Sequence, residues 1–352
     1  MIDKSGVLFF FLAIIIFPWM GFPGYGYLFI LSFILAMLPL GKVKLKSFDF
    51  LILLFVFCFL FFNILYFQYS TAVILYVTFI VFVFIIRNDA INYPVNYKYL
   101  SIIIMLSFVL VSFSWHESVH SGRYSIFVGD PNFSGYILFV LLSSLFLLSN
   151  NRLYDVSILL LLIGCFWLTQ SRMIFVCLIL SFLVKYFLPI ILNNRVKFVG
   201  GLLIISAVWQ GVFYVAFSAF SDYFLINFPL LTGRWNLADT SNLLRFELYH
   251  NVMLSSFSSW DSFIFGDFEK YSKIDYRPPH NWFAMSFSLF GGVFTLAFSY
   301  AVFRVFFIIE ERLIPLYTNV VFMSSVLNLT VLLFGCLFLL LVNRFFDRRV
   351  TI

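Results

Sequence analysis

The sequence predicts an all-α, polytopic integral membrane protein with about 11 (10–12) transmembrane helices. It reads as a single membrane domain over 1–352, with one long external loop at 220–280. Three observations predict this. The chain is 63% hydrophobic and 11% charged, with a mean hydropathy of +1.03, which is more apolar surface than a soluble core of 352 residues can hide. Runs of about 18 or more apolar residues recur along its whole length. These runs lack the apolar–polar alternation of a barrel strand, so backbone groups out of reach of water must be satisfied within helices.

In chain order, Lys4 precedes an apolar run at 6–22 with no small-residue cleavage site after it, the pattern of an uncleaved first span. Further runs fall at 24–40, 48–67, 71–87, 99–115, 132–149, 156–169, 172–192, 198–219 and 281–304. The last run, 314–342, contains Asn319 and Asn328, and fits either one span or two short tilted passes. A single pass there would leave Arg344, Arg348 and Arg349 outside.

The net charge of +6 is explained by placement. Lys42, Lys44 and Lys46 share one short loop; Arg87 and Lys98, Arg152, Arg195 and Lys197, and Arg304 and Arg312 fall in later ones. Alternate loops thus carry the cations, the positive-inside pattern. It predicts 87–98, 150–155, 193–197 and 305–313 as cytoplasmic, and 116–131, Thr169–Arg172 and 220–280 as external. The long interval holds five cations and seven anions from Asp222 to Arg277, so it is no basic patch and argues against nucleic acid as a partner. Cys58, Cys165, Cys177 and Cys336 lie inside apolar runs and read as small core residues.

Within the long loop, Ser241-Asn242 predicts the cap of a helix from about Leu243 to Leu254. Arg245 and Tyr249, four apart, share a face of it, while His250 turns away. Trp260, Gly266 and the polar run to Arg277 read as irregular.

Several side chains are candidates for chemistry. His116-Glu117-Ser118-Val119-His120 has the spacing of a zinc site on a helix, but it ends a span, Ser121-Gly122 stops a helix there, and no third ligand stands out. An interfacial loop is the preferred reading, and no metal or cofactor is expected. His280 ends the external loop and starts a span, where a neutral imidazole can take a proton from a hydroxyl or simply bond to the loop. Asn281 beside it either orients a sugar or caps the helix; Gly291-Gly292 deeper in reads as close helix packing. Arg172 sits between two apolar runs, facing an anion or snorkelling. Arg245 and Arg234 suit an anionic group, with a loop salt bridge such as Arg234 to Asp239 as the alternative. Arg123 is either a further ligand or part of a plain turn. A Walker loop, a nucleotide fingerprint and intramembrane acids suited to a proton relay are all missing, which argues against a secondary transporter.

Taken in order, these pieces resemble the O-antigen polymerase/ligase superfamily. The matching residues are Gly122-Arg123 leading to Pro131-Asn132, then Thr169-Gln170-Ser171-Arg172 between two spans. Arg245-Phe246-Glu247-Leu248-Tyr249 follows in the long loop, ahead of Gly266, then His280-Asn281 and Gly291. The resemblance covers roughly residues 115–295. It implies a metal-independent, inverting glycosyltransferase of GT-C-like fold in the bacterial inner membrane, acting on undecaprenyl-diphosphate-linked glycan at the periplasmic face. By that analogy Arg172 and Arg245 bind the diphosphate and His280 is the general base, with Arg234, Arg123, Asn281 and Tyr249 around the substrate. Membrane lipids are partners, and a polysaccharide chain-length regulator is an open one. Polymerase is the favoured activity, on chain length and the extra Arg234 and Arg123. The ligase pattern often has a further small residue where this chain has Phe294. Ligase, and a flippase or other carrier of lipid-linked sugars, are the alternatives.

Overall fold

The computed structural model describes residues 4–19, 25–37, 54, 79–80, 97–117, 123–126, 131–149, 151–208, 210–211, 240–266, 281–324 and 329–345. The expected spans at 48–67 and 71–87, Cys58 and the Lys42–Lys46 loop lie almost entirely outside them. The described residues are mostly helical, and three helices are long and apolar enough to cross a membrane.

Helix α1 (Lys4–Ile16) runs into a 3-10 turn at Phe17–Trp19 and packs on α2 (Tyr25–Met37). α3 (Tyr97–Ser112) lies against α1, its Ser107 Oγ donating to the Ile14 carbonyl at 3.1 Å. The centre is α4 (Pro131–Leu148), whose residues are almost all buried because they alternate among five neighbouring helices rather than facing lipid. α5 (Arg152–Thr169) returns beside it, capped by Asn151 accepting from the Leu153 and Tyr154 amides. Its outer face, including Leu153, Leu160 and Trp167, is exposed. The expected span at 172–192 divides into α6 (Arg172–Tyr186) and the short α7 (Leu188–Asn193), because Pro189 removes a backbone donor and starts a new helix at N1/N2. α8 covers 195–208.

Two ends of the bundle can be told apart. Arg195 pairs with Glu311 at 3.1 Å, Tyr97 donates to the Leu145 carbonyl, and Lys185 sits over the Phe146 ring, so these residues mark one end. Arg123, Asn132, Thr169 and Ser171 join at the other.

Helix α9 (Thr240–Ser256) is followed by α10 (Trp260–Phe265), a correction to the irregular segment expected at Trp260. Ser259 caps α10 by accepting from the Ser262 amide, Asp261 lies in its first turn, and Gly266 closes it at φ 84°.

The expected span at 281–304 is also corrected. Helix α11 (Trp282–Val305) is broken at Gly291, with φ 77° and ψ 175°. The two limbs, 282–290 and 292–305, fold back on each other. The Trp282 and Phe298 rings are 5.8 Å apart, whereas 16 residues of continuous helix would separate them by about 24 Å. Ser286 Oγ meets Thr295 Oγ1 at 3.0 Å, where a rod would put nine residues, about 13 Å, between them. Although 24 residues long, this segment therefore does not cross as one helix. A Cβ on Gly291 would overlap the Ile264 carbonyl, and one on Gly266 would lie 2.7 Å from the Ser288 oxygen, so the two glycines let α10 pack backbone to backbone against the apex.

The run at 314–342 is likewise a pair of helices, α12 (Ile314–Ser324) and α13 (Leu329–Phe345). Ile314 follows the turn at Glu311–Leu313. Asn343, near the close of α13, accepts from the Glu310 amide and donates to the Ile308 carbonyl. Both outer ends of the pair thus lie at the Lys185 end, and buried Arg344 joins the cations there. Phe17 stacks on Phe338 at 4.1 Å and Phe29 meets Phe334 at 5.6 Å, which ties α13 to the first hairpin.

Candidate functional site

The sequence-predicted residues that are described fall into two groups. The first is at the α5–α6 junction. α5 stops at Gln170, in the left-handed region at φ 46°, and Ser171 then starts α6. Buried Arg123, arriving from the ribbon β1 (His116–Glu117)–β2 (Tyr124–Ser125), donates through Nε to the Thr169 carbonyl at 2.9 Å. Its Nη2 donates to Asn132 Oδ1 at 3.1 Å, and Ser171 Oγ donates to the same oxygen at 3.3 Å. Gly135, a turn into α4, admits Ser171 and Ile174, since a Cβ there would lie 3.0 Å from both side chains. Three stretches separated in sequence are therefore held together, and Arg172 is fixed as the first residue of α6. The Arg123 guanidinium uses two of its donors on this scaffold, which gives it an anchoring role.

The second group surrounds the start of α11. Asn281, buried, accepts through Oδ1 from the Phe283 amide at 2.9 Å and the Ala284 amide at 3.1 Å, which is the capping alternative read from sequence. Its Nδ2 donates to Gln210 Oε1 at 2.9 Å. Gln210 follows Arg195 by 15 residues, about 22 Å of helical rise, so this pair stands well away from the Lys185 end.

Tyr249 is buried on α9 with Val252, Met253 and Ala284. Burial holds its phenol well above the ordinary tyrosine range, so near neutral pH it is a neutral hydrogen-bonding group and not a base. α9 begins at Thr240, earlier than the Ser241-Asn242 cap predicts, and it has Arg245 one turn before Tyr249 as expected. Because Tyr249 meets Ala284 while Phe257 meets Phe287, the turn carrying Arg245 lies toward the Asn281 end of the limb.

His280 and Arg234 lie outside the described residues, as do His120 and Gly122. His116 is on a strand rather than a helix, its Nε2 3.2 Å from Ser125 Oγ, so the helical spacing a zinc pair requires is not available. Cys165, Cys177 and Cys336 are buried free thiols, matching the core reading.

Sequence reasoning missed Gln210 and the roles of Asn132 and Ser171. Gln210 has a visible signal, an amide interrupting the apolar run at 198–219. Gly266 and the α10 cap also had one, a Ser placed seven residues before a Gly. No protein-family model, curated protein or solved structure matches this chain.

Proposed function

We propose that the protein is a polymerase of lipid-linked glycan, joining undecaprenyl-diphosphate-linked repeat units and releasing undecaprenyl diphosphate. One observation carries this reading. Arg123, Asn132 and Thr169–Ser171, which bear the first part of the sequence resemblance, converge through hydrogen bonds at the head of Arg172's helix. In this reading the cation-rich Lys185 end faces the cytoplasm and the Arg123 end the periplasm.

The acceptor hydroxyl attacks the anomeric carbon of the donor sugar, and the bond to the diphosphate breaks with inversion. His280 takes the hydroxyl proton. Arg172 and Arg245 stabilise the negative charge that grows on the departing diphosphate, an effect enlarged where water is scarce. Arg123 fixes the scaffold, and Asn281 holds the helix that begins beside His280. Arg234 and Tyr249 complete the substrate surroundings, and no metal enters the chemistry.

The test is reconstitution of purified protein in nanodiscs with the lipid-linked repeat unit alone. A ladder of chain lengths is expected. Glycan transfer only after addition of lipid A-core would make the protein a ligase instead, and neither product would redirect attention to transport of lipid-linked sugars.

A further inference from the structure

The Gln210–Asn281 pair has a polarity that the cap determines. Asn281 Oδ1 accepts from two backbone amides, so its amide group can be oriented only one way, with Nδ2 pointing outward as a donor. Gln210 must answer with its oxygen, at 2.9 Å. That choice turns the two N–H groups of Gln210 Nε2 away from Asn281. Among the described residues they meet no acceptor, and Gln210 is half-buried at the far end of its helix from Arg195. A glutamine in an apolar run, with one face used, thus presents a pair of oriented donors to any oxygen acceptor that reaches it.

We propose that Gln210 is a substrate-binding residue, its Nε2 donating to an oxygen of the bound glycan lipid, either a phosphoryl oxygen or a sugar oxygen. This rests on the polymerase reading for the identity of the ligand. The placement fits that reading: Asn281 links Gln210 to the start of α11, and the register of α9 brings the turn bearing Arg245 toward the same end of that limb.

Two substitutions separate binding from scaffolding. Gln210→Glu keeps an oxygen for Asn281 Nδ2 but replaces the outward donors with an acceptor. Gln210→Met fills similar space, carries no charge and has no donor. Each variant and the wild type are titrated in nanodiscs with two probes, undecaprenyl diphosphate and the undecaprenyl-diphosphate-linked repeat unit, and melting is followed in parallel. Both variants are expected to weaken binding by about tenfold or more, the worth of a hydrogen bond to a charged or closely fitted oxygen, with Gln210→Glu melting as the wild type does. Loss with both probes assigns a phosphoryl oxygen, and loss only with the sugar-bearing probe assigns a sugar oxygen. If Gln210→Met binds like the wild type, any effect of Gln210→Glu is remote charge repulsion and the assignment is overturned. Wild-type protein that binds neither probe would remove the polymerase reading, and this inference with it.

Discussion

At Asn281 one side chain performs two separable tasks, and substitution can divide them. Asn281→Asp retains the oxygen that accepts from the Phe283 and Ala284 amides but gives up the donor to Gln210. It should keep the cap only with the Gln210 amide turned round to donate to the new carboxylate, whereas Asn281→Ala should lose about 1 kcal/mol of cap, seen as a lower melting temperature in detergent. At Arg245, replacement by Lys should abolish chain growth in the reconstituted assay, because a point charge cannot reproduce a bidentate fork on a diphosphate. Full activity in that variant would remove the clamp from the mechanism. His280→Ala should insert normally and make no ladder; near-normal growth would remove His280 as the base. His116→Ala and chelators should both be tolerated, given that His116 lies on a strand. Arg123 stood out in the sequence as a cation in an external loop, and its anchoring at the head of α6 is what the structure adds. The partners at that anchor were not legible, since Asn132 and Ser171 have no signature until α4 and α6 are side by side.

Among the elements, the broken helix α11 makes the strongest demand on its residues. Gly291 adopts a backbone conformation that only glycine occupies readily, and its missing Cβ is what lets the Ile264 carbonyl approach. Gly291→Ala should cost at least about 3 kcal/mol and appear as loss of a monodisperse peak in detergent chromatography. Thr295 is a milder case. Its Oγ1 donates to the Gly291 carbonyl at 2.9 Å, satisfying one group that the break releases, so Thr295→Val should cost about 1 kcal/mol. Hydropathy could not reveal this element. Apolar composition reports that 281–304 is buried, but it is blind to direction, and a doubled-back pair of limbs has the same composition as a rod. The glycine pair was visible and suggested close packing; the positive φ that reverses the chain depends on α10 pressing against it, a contact no local pattern encodes.

For the molecule as a whole, the sequence disclosed the class and much of the helix order, because apolar runs and caps are local. It left the run at 314–342 ambiguous. The resolution comes from Asn343, whose side chain ties the close of α13 back to Glu310 and Ile308. A reporter fused after Phe345 should therefore report the same compartment as one inserted at Glu311, and in the proposed orientation both give a fluorescent GFP and a silent alkaline phosphatase. Opposite readouts from the two sites would contradict the paired α12–α13 arrangement. Parity makes the point general. Each segment that turns back before crossing leaves the compartment of everything downstream unchanged, while being counted by any hydropathy scan as a crossing. The fold at Gly291 is a different case: the first limb, 282–290, is spent on the reversal, so 292–305 alone carries the chain from the Gln210–Asn281 pair toward Glu311 at the Lys185 end, and labelling in this stretch is to be read against that shorter helix.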